Sequence, residues 1–256
     1  MNAIILSAIW GIVMMFSGAF LKSKAAPKYL ALIGIAVIFI ANALELNSGF
    51  RMFQIDTHGM LQTSSFNLTF IAIALACSAL FFLLNGKDFE KVGSHVGEYF
   101  ALIFFILCGV SLSATFNTLL FLFLGIEIMS IPLYILTASD KMNLKSNEAG
   151  LKYFLMGSFS TGILLMGIAF IYGGSPNASF FINNIMLGTG KLPVMIAIGL
   201  VLLVVAMAFK VSAAPFHFWT PDVYDGAPTV FTSFMSTIVK VAGFFAFVRL
   251  FEYSFG

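Results

Sequence analysis

Charged residues are scarce in this 256-residue chain. Asp, Glu, Lys and Arg make up 9% of the sequence, whereas hydrophobic residues make up 60%. Soluble domains carry about 25% charged residues, so this deficit excludes a soluble protein and predicts a polytopic membrane protein. The net charge is +2, and the basic residues lie mostly between apolar runs, not in one patch. The charge pattern therefore indicates the lipid bilayer as a partner and no nucleic acid.

Cysteine and the common cofactor motifs are also missing. Cys77 and Cys108 each stand alone in an apolar run, and the sequence contains no CxxC pair. Iron–sulfur and zinc centres need grouped ligands, and nucleotide sites need GxGxxG or GxxxxGK[ST] loops, which are absent here. We therefore predict no metal site and no cofactor site in this chain itself.

Long apolar runs dominate what is present. A membrane-spanning helix needs about 20 apolar residues. The first run has no basic residue before it, which is untypical of a signal peptide, so we expect it to be retained as a helix. The sequence predicts an all-α integral membrane protein of about eight transmembrane helices. The predicted spans are Ala3–Leu21, Tyr29–Leu46, Phe66–Leu84, Tyr99–Ala114, Asn117–Ala138, Ala149–Gly173, Leu192–Pro215 and Pro228–Phe251.

The distribution of basic residues predicts the orientation. Cytoplasmic loops carry the excess of Lys and Arg. Seven basic residues follow the first, third and fifth spans, and two occupy the alternate loops, so the N-terminus is predicted outside; Arg249 near the other end runs against this count. The residues counted are Lys22, Lys24, Lys28, Lys87, Lys91, Lys141 and Lys145 against Arg51 and Lys191.

Glu127 is predicted to lie near the bilayer centre, ten residues into the fifth span. That position is about 15 Å along a helix. A charge there costs about 2.5–3.5 kcal/mol, so such residues usually have a function. Ser130, Tyr134 and Thr137 follow at helical spacing on one face. This stripe predicts a wet or protein-facing site; an inert, hydrogen-bonded glutamic acid is the structural alternative.

Lys240 is the second charge predicted at depth, about 18 Å into the eighth span. Thr229, Ser233 and Ser236 share its predicted face. Its structural alternative is a lysine held by one fixed acidic partner. Lys152 is less decisive, because it lies four residues after Glu148 and its side chain could reach the membrane surface.

The stretch from Phe209 to Thr229 predicts an interrupted helix. Lys210 ends an uncharged run, yet apolar residues continue past it, together with Pro215 and Pro221. A break at membrane depth is tolerated only where it faces protein or a wet cavity. His217 beyond the break titrates in a range suited to passing protons, although a structural role is an equal alternative. Lys210 could also be an ordinary helix-end lysine. We hypothesise a relay in which neighbouring charges alter each other's protonation.

Four segments carry a family resemblance. They resemble the subunit N family of the proton-pumping NADH–quinone oxidoreductase, complex I, whose members are antiporter-like. The resemblance is dense over the fifth to eighth spans. The segments are GIEIMSIPLYIL (125–136), EAGLKYFLMGSFSTG (148–162), FKVSAAPFHFWTPDVYDGAPT (209–229) and STIVKVAGF (236–244).

The resemblance implies a function and a set of site residues. By matching motif, Glu127, Lys152, Lys210, His217 and Lys240 would form the first half of a proton relay along the membrane arm. NADH, FMN, iron–sulfur clusters and quinone would belong to partner subunits, and neighbouring membrane-arm subunits would be partners. The expected location is a bacterial-type inner membrane.

The resemblance also implies a domain organisation. Residues 1–96 would hold the first three helices, and 97–256 the first antiporter-like five-helix repeat, with a discontinuous seventh helix. The second, inverted repeat of the family is expected to be absent, so the chain would be an N-terminal half. Alternatives are a subunit of a cation/proton antiporter or membrane-bound hydrogenase, and a structural membrane-assembly subunit.

Overall fold

A computed structural model describes residues 1–20, 26–175, 179–182 and 193–255 of the chain. The predicted boundaries at Leu21 and Leu192 lie outside these residues. The regular structure is helical, apart from two isolated β-bridges in the described parts. The helices are α1 Asn2–Phe20, α2 Ala26–Ser48, α3 Ser65–Asn85, α4 Phe89–Val92, α5 Val96–Thr115, α6 Leu119–Thr137, α7 Leu144–Gly174, α8 Val194–Val211, α9 Thr220–Gly226, α10 Thr229–Phe234 and α11 Lys240–Phe255, with a π-helical segment Met235–Val239 between α10 and α11.

The predicted membrane architecture is confirmed. Seven of the described helices are long and apolar enough to span a bilayer, and α1 contributes a shorter apolar helix over Asn2–Gly18. The last span runs over Thr229–Phe251 and joins α10, the π-helical segment and the start of α11. Together these helices match the eight predicted spans.

Several helices begin earlier than hydropathy predicts, α5 and α7 among them. The sixth span was expected from Ala149, but α7 begins at Leu144, where the Asn143 side chain accepts a hydrogen bond from the Lys145 amide. Such a cap satisfies an amide that has no partner within the helix. The fourth span likewise begins at Val96, not at Tyr99. Counting apolar residues misses these first turns because each contains a charged residue, Glu98 in α5 and Lys145 in α7.

The predicted discontinuity after the seventh span is present, but the helix ends before Pro215. α8 stops at Val211, and Ser212 takes a left-handed conformation with φ of 59°. Its amide bonds to the carbonyls of Ala208 and Phe209, which closes the helix end. Pro215 lies within the non-helical stretch, and Pro221 lies in the first turn of α9, where a missing N–H costs nothing.

α5 is the central helix of the bundle. Of its 18-residue apolar window, 83% is buried, compared with 39% to 56% for the other spans. α1 and α6 both pack against it, and α7 packs against α8. Phe100 forms edge-to-face contacts with Phe82 and with Phe89 near the start of α5. Aromatic packing therefore helps to hold α5 in place.

Arg249, whose position runs against the count of basic residues in the loops, lies inside the helix bundle and not in a loop. Its side chain is buried, and its Nε donates to the Phe116 carbonyl at 3.0 Å. A second nitrogen lies 3.4 Å from Oε1 of Gln62. Phe116 also forms a β-bridge with Leu61. The arginine thus connects α11 to the α5–α6 joint and to the loop that covers it.

The close approach of α5 and α6 requires glycine at positions 109 and 125. A Cβ on Gly109 would lie 2.7 Å from the Met129 amide nitrogen and 2.8 Å from the Gly125 carbonyl. Backbone atoms cannot rotate away as a side chain can. Small residues at such crossings let membrane helices pack by van der Waals contact alone.

We predict that Gly109→Ala lowers the free energy of unfolding by about 1–3 kcal/mol, because the new methyl group forces α5 and α6 apart. The measurement is reversible unfolding of the purified chain in mixed micelles. Gly162→Ala on α7 is the matched control, since a Cβ there meets nothing within 4 Å. Equal stability of the two variants would contradict the proposed packing.

Candidate functional site

A polar cluster lies where α6, α7, α8 and α11 meet. Hydrogen bonds between side chains of different helices join its members, while some of the hydroxyls also bond to carbonyls of their own helix. The polar cluster consists of Glu127, Ser130, Tyr134, Thr161, Lys210, Ser212 and Lys240.

Glu127 forms one edge of the polar cluster. Its side chain is half-buried, and the Thr161 hydroxyl on α7 donates to Oε1 at 2.7 Å. The same hydroxyl oxygen lies 3.0 Å from the Gly157 carbonyl oxygen one turn earlier, so its single proton is shared between these two acceptors. The sequence did not single out Thr161. Its position four residues after Gly157 was a weak signal that this face of α7 packs against another helix. The glutamate therefore faces protein, as its polar stripe predicted.

Lys210 binds the polar stripe of α6. Its Nζ donates to the Ser130 hydroxyl at 3.0 Å and lies 3.5 Å from the Tyr134 hydroxyl. These residues follow Glu127 by one and two helical turns. Gly157 makes room for Tyr134, because a Cβ there would lie 2.2 Å from the phenol oxygen. Thr137, the last predicted stripe member, bonds instead to the Leu133 carbonyl.

The open end of α8 is bonded by residues from other elements. The last carbonyls of a helix have no partner within it and carry partial negative charge. The Trp219 indole donates to the Phe209 carbonyl at 3.1 Å, and Lys240 Nζ donates to the Lys210 carbonyl at 3.2 Å. Lys240 also donates to the Ser212 hydroxyl. Because the helix is interrupted, the Lys210 carbonyl can accept a hydrogen bond from Lys240, which places a second cation beside Lys210.

Aromatic rings enclose the Lys240 ammonium. It lies 4.5 Å from the centroid of the Trp219 ring and 5.9 Å from that of Tyr224. Such faces attract cations. Ser233 and Ser236, predicted to share its face, donate instead to carbonyls of their own helix. The π-helical segment contains Ser236 and separates Ser233 from Lys240, and its wider turn breaks the expected spacing.

Lys152 and His217 lie apart from the polar cluster. Lys152 forms ion pairs with Glu148 at 2.8 Å and with Asp222 at 2.7 Å, in a surface depression of about 160 Å³. The His217 side chain is exposed, on the non-helical stretch after α8. The sequence did not single out Asp222, although it lies within the stretch that predicted the break.

The placement of potential metal ligands bears on the chemistry of the site. In the described ranges, which omit 21–25, 176–178, 183–192 and 256, no three His, Cys, Asp or Glu side chains come together as metal ligands. The chemistry available in the polar cluster is therefore that of protonatable amines, a carboxylate and hydroxyls.

The fold and this cluster define an antiporter-like membrane protein. Residues 117–255 match the NADH:quinone oxidoreductase/Mrp antiporter transmembrane family, and the chain belongs to that family. It is similar to NADH-quinone oxidoreductase subunit N of Cytophaga hutchinsonii, at 41% identity over 98% of this chain and 53% of the relative. The corresponding protein of Flavobacterium psychrophilum is 36% identical over 98% of this chain and 54% of that relative. The resemblance expected from the sequence is confirmed.

Solved structures show the same relationship. A chain of respiratory complex I from Thermus thermophilus with bound aureothin superposes with a TM-score of 0.78 and 30% identity, over 96% of this chain and 52% of that one. A chain of the archaeal membrane-bound sulfane sulfur reductase reaches 0.83 at 24% identity, over 98% and 52%, which shows likeness of fold alone. The chain spans about half the length of the curated relatives it matches.

We predict that Ser130→Ala lowers the free energy of unfolding by about 1.5–3 kcal/mol, since it removes an acceptor from a charged group that faces protein. The measurement is unfolding of the purified chain in mixed micelles. Ser78→Ala is the matched control. Both serines are buried and donate to the carbonyl four residues earlier, but only Ser130 also accepts a hydrogen bond from a lysine. If Ser130→Ala lowers the free energy of unfolding no more than Ser78→Ala does, the bond from Lys210 to Ser130 does not stabilise the fold.

Proposed function

We propose that this chain is a membrane-arm subunit of an NADH:quinone oxidoreductase that moves protons through the polar cluster. One observation carries the proposal: Lys210 and Lys240 share the end of an interrupted helix in a membrane bundle, with Lys210 also bonded to the stripe that begins at Glu127. Membership in the antiporter-like family and the subunit N relatives support it.

The two lysines are coupled through the helix end. Lys240 bonds to the backbone carbonyl of Lys210, so its ammonium group lies at the turn of α8 from which the Lys210 side chain extends. Two ammonium groups near each other repel strongly where water is scarce. Gain of a proton by one lysine therefore favours its loss from the other. The Ser130, Tyr134 and Ser212 hydroxyls can each accept and donate, which lets them pass a proton without becoming charged.

The remaining predicted relay members would extend this path. Lys152 at the aqueous edge and the exposed His217 are proposed to exchange protons with water. Redox chemistry with NADH, FMN, iron–sulfur clusters and quinone is assigned to partner subunits, and neighbouring membrane-arm subunits would flank this chain. We place it in a bacterial-type inner membrane with the N-terminus outside.

We predict that Lys210→Met lowers NADH-driven proton uptake by at least about tenfold, since it removes a group that must gain and lose the proton. Uptake is measured with a pH-sensitive dye in inverted membrane vesicles that contain the assembled complex. Assembly is followed by NADH oxidation with a soluble electron acceptor.

Lys91→Met is the control for this experiment. Lys91 lies on α4 with its side chain exposed and paired to Asp88, so the variant loses the same charge away from the polar cluster. Unchanged proton uptake by the Lys210 variant, with assembly intact, would show that the chain has only a structural role.

Sodium dependence separates the proposal from a cation/proton antiporter. We predict that proton uptake in the same vesicles requires NADH and stays unchanged when all sodium is replaced by potassium, because the acceptors around Lys240 are already bonded to its ammonium group. Sodium-driven proton movement in the absence of NADH, lost in the Lys210 variant, would favour the antiporter.

A further inference from the structure

We propose that α9 is a lid over Lys240, held closed by ion pairs to α7, and that Asp222 is a positioning residue for this lid. The inference rests on the proposed function only for the role of the lid, which is to control when water reaches Lys240. The contacts that define the lid stand independently of proton transport.

The inner side of the lid covers the lysine. Trp219 immediately precedes α9 and Tyr224 lies within it, and both rings face the Lys240 ammonium. Trp219 is buried, and its ring stacks on Tyr153 of α7 at a centroid distance of 4.8 Å and an angle of 8°. Movement of α9 away from α7 would therefore uncover Lys240 and Trp219 together.

The outer side of the lid carries two ion pairs to α7. Asp222 binds Lys152 at 2.7 Å, and Asp225 lies 3.4 Å from Lys145. The two aspartates are three residues apart and the two lysines seven apart, so each set lies on one helix face. The two pairs thus form side by side along the same contact.

Backbone contact places these ion pairs. Gly226 ends α9, and a Cβ there would lie 2.6 Å from both the Ala149 Cβ and the Lys145 carbonyl oxygen. α9 therefore touches α7 directly at its last residue. This contact fixes the position about which the rest of the short helix can turn.

Two features make the closed position only weakly favoured. The Lys152 and Asp222 side chains are 39% and 57% exposed, and exposed pairs contribute little because water and salt screen them. In the described part of the chain, the Tyr224 hydroxyl is buried and has no hydrogen-bond partner, which is unfavourable. Opening would hydrate that hydroxyl and so offset part of the loss of the ion pairs.

The test uses Trp219 as the reporter of opening. Trp10 is first replaced by Phe, so that Trp219 is the remaining tryptophan in the chain. The purified chain is placed in lipid nanodiscs, and quenching of its fluorescence by neutral acrylamide is measured. We expect Asp222→Asn to raise the quenching rate constant about two- to fivefold, the factor that corresponds to loss of one exposed ion pair.

Glu148→Gln is the matched control. It removes a carboxylate from the same lysine, but Glu148 lies on α7 and its pair with Lys152 does not reach α9. We expect quenching in this variant to equal that of the parent, and Asp222→Glu to keep the parent value. Equal quenching constants for Asp222→Asn and Glu148→Gln would overturn the lid.

A salt titration needs no substitution at the lid. At about 1 M NaCl the Debye length falls to about 3 Å, so exposed pairs are screened. We expect quenching in the parent to rise toward that of Asp222→Asn, and the latter to stay constant. A parent that is insensitive to salt would also overturn the lid. Neither readout involves proton uptake, so failure of the lid and failure of the proposed function are separate results.

Discussion

The interrupted helix end at Lys210 is the constraint on which the rest of the site depends. Backbone carbonyls inside a membrane must find a donor, because neither lipid nor an apolar core supplies one. At the end of α8 the backbone amides of Ser212 and Ala213 supply part of these donors, and the Trp219 indole and the Lys240 ammonium supply the others. These bonds therefore hold α11 and the Trp219 ring against the end of α8. The Lys210 side chain extends from the same turn of α8.

The polar cluster holds its charges through neutral groups. Glu127 is bonded by a threonine hydroxyl, and Lys210 by a serine and a tyrosine hydroxyl. A direct buried ion pair is costly to break, because removal of one charge leaves the other without compensation. Hydroxyl partners remain satisfied in either protonation state of the lysine, which agrees with the proton transfer that we propose for Lys210.

α9 joins two environments that differ in polarity. Its aspartates bind lysines of α7 where water screens charge, while the aromatic residues at its start enclose a lysine within the bundle. The ion pairs on the solvent side of α9 are weak, and the aromatic packing on its inner side is close. A small movement of this seven-residue helix would therefore alter access to the interior. Lys152 accordingly has contacts of a different kind from those of Lys210 and Lys240.

Local sequence by itself determined the eight apolar helices and the interruption after Phe209, since each follows from hydropathy and helical spacing along one segment. Tertiary structure decided the partners: Lys240 on the Lys210 carbonyl, Thr161 on Glu127, Lys152 paired at the surface, His217 exposed and Arg249 buried. These bonds join residues 30 or more positions apart, apart from the Glu148 pair. A single helix pattern reports how polar a position is, but not which neighbouring helix supplies its donor or acceptor.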